Sequence, residues 1–251
     1  MSLGLAIALV SLELRALIGG EAGAEPGLLE MAAHILAWLG AAYGLMYRQQ
    51  AFSSFVATWG ARLLIAASCF ALLFVSLGGL NPVVTEEAVP GNAIFNALLL
   101  AYLAPVLLLG LIARKLGVIG WEKVRTLIGL LALLLAFAYV TLETKRLFQG
   151  PILVAWTETV AEDYAYSAVW LAFGIAVFLV GLVLSRQPIR YAGLGVVSLV
   201  VLKVFLWDMA GLEGLYRIAS FMGLGLCLVG IGWLYGKFVM QKRGLDMPEQ
   251  S

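Results

Sequence analysis

The residues best placed to do chemistry lie in the run Lys203-Val-Phe-Leu-Trp-Asp208 and in the stretch after it, Met209-Ala-Gly-Leu-Glu-Gly-Leu-Tyr-Arg217. Both are flanked by long apolar segments. A charge at the centre of a bilayer costs at least about 2.5–3.5 kcal/mol, so a charge kept there points to an ion pair or to a site. With Asp208 at the boundary, Lys203 lies five residues, about 7–8 Å, deeper at 1.5 Å per residue. Its ammonium must snorkel outward or meet a carboxylate. Asp208, Glu143 and Glu13 are the carboxylates expected at that depth, and because Asp208 sits about 140° around the helix from Lys203, a partner on another helix is favoured. Glu143 and Arg146, three residues apart, share a helix face. Glu143, Arg146, Lys203, Asp208 and Arg217 together could form a charged patch in the outer leaflet. Such a patch is either a set of interhelical ion pairs and interfacial anchors that hold packing, or a site for an anionic lipid headgroup, a small ion or a polar substrate.

Other chemistry-bearing residues say less. His34 is the only histidine, and a hydrogen-bonded bundle residue is the favoured reading over a proton relay. Cys69 and Cys227 sit in apolar runs without C-x-x-C or histidine partners, so neither a metal nor a redox role is expected. Pro105 predicts a kink in the fourth span. Ser and Gly residues such as Ser68, Ser76, Gly174, Gly181 and Gly193 read as small-residue packing positions. There is no Ser-His-Asp set, no His-Glu-x-x-His, no glycine-rich phosphate loop and no Cys/His ligand set. A hydrolase or ATPase built on known motifs is therefore not expected, and no catalytic residue, metal or cofactor is assigned. An enzyme that modifies lipids with scattered carboxylates stays as the third reading.

The elements that must position these residues are membrane helices. Of 251 residues, 63% are hydrophobic and 12% charged, with a mean hydropathy of +0.99, far from the balance of soluble domains. Apolar stretches at about 2–18, 28–47, 55–79, 92–113, 124–147, 164–185, 189–209 and 214–238 predict an all-α protein of eight transmembrane helices. The first is the shortest, interrupted by Glu13 and Arg15, and it carries no signal-peptide pattern.

Charge sets the orientation. The 16 basic and 15 acidic residues leave a net charge of +1, which argues against a nucleic-acid partner. Eleven of the basic residues, Arg48, Arg62, Arg114, Lys115, Lys123, Arg125, Arg186, Arg190, Lys237, Lys242 and Arg243, fall with both termini on one side of an eight-span chain. Twelve of the acids fall on the other side. The segregation predicts cytoplasmic termini in a cytoplasmic membrane.

Residues 1–115 and 116–251 also read as two four-helix units, a parallel repeat because each has an even number of spans. Ser11-Leu-Glu-Leu-Arg-Ala-Leu-Ile-Gly aligns with Thr141-Leu-Glu-Thr-Lys-Arg-Leu-Phe-Gln-Gly, placing Glu13 against Glu143.

A further set of residues carries a family resemblance. Glu143, Arg146 and Gly150, Tyr166-Ser-Ala-Val-Trp170 with Gly174, Arg186 and Arg190, Lys203 to Asp208, and Leu215-Tyr-Arg217-Ile-Ala-Ser220-Phe together resemble a large bacterial family of multispanning membrane proteins, domain of unknown function 2339. Over residues 130–240 the chain looks like the C-terminal portion of such a protein or a shortened relative. The resemblance implies a cell-envelope membrane protein and supplies no activity, substrate or cofactor. The expectation is a bacterial inner-membrane protein that transports or senses an envelope lipid or small solute through an outer-facing polar site. Its class alternative is a structural or assembly component without a ligand. Partners are membrane lipids, a solute or lipid headgroup, or another membrane protein.

Overall fold

A backbone in hydrocarbon must satisfy its polar groups within its own segment, so long apolar runs become helices. The computed structural model describes residues 3–18, 27–48, 55–92, 95–154 and 159–208, together with 222, 225, 226, 229, 230, 232 and 233. The helices are α1 (Leu3–Ile18), α2 (Leu28–Arg48), α3 (Phe55–Ala71), a single turn α4 (Pro82–Thr85), α5 (Ala104–Ile119), α6 (Glu122–Gln149), α7 (Val160–Val183) and α8 (Gln187–Lys203). Three π-helical stretches extend them: Leu72–Gly79 after α3, Leu99–Leu103 before α5 and Val204–Asp208 after α8.

Six helical segments are long and apolar enough to cross a membrane: Leu28–Arg48, Phe55–Thr85, Leu99–Ile119, Glu122–Gln149, Val160–Val183 and Gln187–Trp207. The all-helical membrane architecture holds, while the count of eight spans is not reached among the described residues. With 16 residues, α1 is about 24 Å long, short of the roughly 30 Å hydrocarbon core. The expected eighth span at 214–238 lies largely outside the described residues.

The fourth expected span, 92–113, starts and ends later than its apolar pattern suggests, since its helical run is Leu99–Ile119. The backbone folds back before it, with Asn92 N–H donating to the Phe95 carbonyl at 3.0 Å and Ala97 N–H to the Pro90 carbonyl at 2.9 Å. At the far end the helix continues past Arg114 and Lys115 until Gly120 takes a left-handed φ of 86°, a conformation glycine adopts without penalty. Pro105 stands in the first turn of α5. The π-helical turn before it, closed by Ala104 N–H on the Leu99 carbonyl, takes up the register where proline offers no donor.

The chain divides into a compact unit of residues 1–197 and a second of residues 198–251. In the first, α2 packs against α1, α3 and α5, and α6 packs against α5 and α7. Ile35, Leu39, Leu72, Leu98, Tyr102, Leu109, Ile112 and Leu135 are fully buried between α2, α5, α6 and the π-helical stretches. The two π-helical stretches of this unit are tied where the Tyr102 hydroxyl donates to the Ser76 carbonyl at 2.5 Å. His34 faces two carbonyls, with Nδ1 2.8 Å from Glu30 O and Nε2 3.2 Å from Ser11 O, and so links α2 to α1. Large apolar side chains such as Phe55, Leu63, Phe70, Leu107, Leu127 and Val183 point outward, as helices surrounded by lipid require.

The α7 and α8 backbones approach closely at glycines. A Cβ on Gly181 would lie 2.6 Å from Arg190 N, and one on Gly193 would lie 2.5 Å from Phe178 N. Small residues at such crossings let membrane helices gain packing that lipid cannot compete with.

Candidate functional site

At 28 residues, α6 is about 42 Å long and outruns the roughly 30 Å hydrocarbon core, so its last turns can carry charge at the interface. Those turns hold Glu143, Lys145, Arg146 and Gln149. The helix sorts them by angle: positions 143 and 146 share one face, and 145 and 149 share the opposite one.

Glu143 and Arg146 both grip the loop before α5. Asn96 Nδ2 donates to Glu143 Oε1 at 2.6 Å, while Asn96 Oδ1 accepts from Leu99 N–H at 3.1 Å. The Asn96 side chain is thus satisfied on both sides although only 5% of the residue is exposed. Arg146 reaches two successive carbonyls with its two terminal nitrogens, Asn92 O and Gly91 O, each at 2.8 Å. This fork matches the planar donor geometry of guanidinium. Gly91 has a φ of 112°, and a Cβ there would run into the Phe95 carbonyl. Glu143 and Arg146, expected to pair along one helix face, therefore each take a partner from the loop.

The opposite face of α6 builds a polar seam with α7. Glu162 is 1% exposed and Lys145 4%, with Lys145 Nζ 3.7 Å from Glu162 Oε1. The same carboxylate accepts from the Tyr166 hydroxyl at 2.7 Å and from Gln149 Nε2 at 3.3 Å to both oxygens. Three kinds of donor on one buried carboxylate are what a desolvated charge needs. Thr159 caps α7 by accepting from Glu162 N–H at 3.2 Å. Deeper along the seam, Trp170 Nε1 donates to Thr141 Oγ1 at 3.0 Å. Gln149 Oε1 accepts from Val154 N–H at 2.9 Å, and Val89 N–H from the loop before α5 bonds the Pro151 carbonyl at 2.8 Å. One end of the bundle is thereby laced into a single polar network around the last turns of α6.

Two of the five candidate residues, Glu143 and Arg146, belong to this network. Lys203 is the last residue of α8 and Asp208 ends the π-helical turn that follows, both in the second unit. Arg217 lies outside the described residues. Lys145, Asn96, Gln149, Glu162 and Tyr166 were not among the candidates. The Thr159-x-x-Glu162 spacing signals a helix start, and Glu162 and Tyr166 four apart share a face, but neither signal names Lys145. Among the described residues no group of three or more His, Cys, Asp or Glu could hold a metal ion.

A bundle with six helical segments long and apolar enough to cross a membrane is a multispanning membrane protein. The chain belongs to the family described as "Predicted membrane protein (DUF2339)", which it matches over residues 1–238. The match takes in the N-terminal half as well as the segment at 130–240 that carries the resemblance. No curated protein and no solved structure matches the chain.

Proposed function

We propose that the protein is a structural or assembly component of the bacterial cytoplasmic membrane, with eight spans in two parallel four-helix units and both termini in the cytoplasm. The observation that carries this reading is the engagement of Glu143, Lys145, Arg146 and Glu162 within the fold, on the loop before α5 and on α7. A binding site keeps polar groups for its ligand, whereas these hold backbone and neighbouring helices. The pocket at the same end, lined by Leu28, Pro82, Thr85, Glu87 and Val89 among others, has about 180 Å³, below the roughly 300–1,000 Å³ of small-molecule sites.

A second reading has its own support. Lys203 is half-buried and leads into the π-helical turn Val204–Asp208, a distortion that recurs at functional sites. In this reading the second unit, through Lys203 and Asp208, binds an envelope lipid or small solute, for transport or sensing. Native mass spectrometry of the purified wild type and Lys203→Met separates the two. The structural reading expects the same bound species in both. A lipid or solute held by the wild type and lost from a folded Lys203→Met variant favours binding. Reporter fusions at Glu86 and Arg186 test the topology, which requires opposite sides.

A further inference from the structure

At the end of the bundle where α2 finishes and α3 begins, the cations are handled differently. Arg125 is neutralised by Glu122 through contacts of 2.9 Å to both carboxylate oxygens. Arg62 makes no ion pair among the described residues. Its guanidinium carbon lies instead 4.4 Å from the centroid of the Trp121 ring and 5.2 Å from that of Trp59. Lys115 repeats the arrangement, with Nζ 5.0 Å from the Tyr47 ring centroid. Cation–π contact holds a guanidinium in place by its face and uses none of its N–H donors. Arg62 is exposed, so those donors are oriented and open.

The position says what they meet. Arg62 stands seven residues inside α3, about 10 Å from the helix start, yet its side chain reaches Trp121 in the turn between α5 and α6. An arginine on an apolar helix that reaches toward the helix end in this way has the geometry of snorkelling, and its flanking indoles are residues that favour the headgroup zone. Beside it α3 presents exposed Phe55 and Leu63, an apolar track along the helix.

We propose that Arg62, held against Trp59 and Trp121, anchors a binding site for the phosphate of an anionic phospholipid, whose acyl chains lie along the exposed face of α3. The guanidinium fork takes the phosphate oxygens, and Lys115 adds positive charge at the same end. The site is about 30 Å along α6 from Glu143, by its 1.5 Å rise, and does not depend on either reading of that end.

The test is native mass spectrometry of the full chain in mild detergent with added phosphatidylglycerol or phosphatidylcholine. Wild type should retain phosphatidylglycerol about tenfold better than phosphatidylcholine, and Arg62→Gln should lose that preference. Equal retention of the two lipids by wild type, or an unchanged preference in Arg62→Gln, would overturn the proposal. If Arg62→Gln does not fold, competition on the wild type decides. Phosphatidylglycerol that resists millimolar inorganic phosphate supports a lipid site, and its displacement by phosphate shows a free-anion site and overturns it. Brominated phosphatidylglycerol should also quench tryptophan fluorescence in wild type more than in Trp59→Leu/Trp121→Leu, and equal quenching would count against the site.

Discussion

Asn96 Nδ2 lies 2.6 Å from Glu143 Oε1, a bond between residues 47 apart in the chain. It closes the loop before α5 onto the last turns of α6, and the same asparagine caps the helical run that starts at Leu99 by accepting from Leu99 N–H at its side-chain oxygen. Replacing Asn96 with Ala removes a donor and an acceptor at once and leaves Glu143 short of a partner. We expect a loss of about 1–3 kcal/mol, read as a lower thermal midpoint in detergent. Asn96→Asp should be worse at neutral pH, because it sets two carboxylates against each other.

The close crossing of α7 and α8 gives an internal control. Gly193→Ala puts a Cβ 2.5 Å from Phe178 N, whereas Gly195→Ala, two residues on, meets nothing within 4 Å. Gly193→Ala should destabilise by more than about 1 kcal/mol, and Gly195→Ala should leave the midpoint unchanged or slightly raised. Parallel thermal scans of the two variants check this.

Tyr102→Phe deletes only the hydroxyl that joins the π-helical stretches at Leu72–Gly79 and Leu99–Leu103. The Ser76 carbonyl would lose its side-chain partner in a dry core. A cost of about 1–2 kcal/mol is expected, with faster hydrogen exchange confined to these stretches. Exchange raised evenly across the whole bundle would instead mean that the bond is not local to them.

Much of the fold was legible because lipid imposes one simple rule on apolar sequence. The segments at 28–47 and 124–147 become α2 and α6 with ends moved by only a few residues. Residues 92–98 misled because Ala-Ile-Phe-Asn-Ala-Leu reads as apolar, while Gly91, Asn92 and Asn96 bend the backbone through bonds that hydropathy does not register. Glu143 and Arg146 stood out because they are charges in a long helix. Lys145 and Glu162 did not. Each reads as a solvated boundary charge, and only the register of α6 against α7, set by packing at Trp170 and Tyr166, buries them together. Pairing across helices is a tertiary fact that no local spacing contains.

The central claim is that the charges around the end of α6 serve the fold. Thermal or denaturant unfolding of Lys145→Met, Glu162→Gln and the double variant tests it most directly. Each single change removes one charge of the buried Lys145–Glu162 pair and should cost up to about 3–5 kcal/mol, with most of that loss recovered in the double variant. Single variants as stable as wild type, with a bound lipid or solute lost instead, would contradict the account.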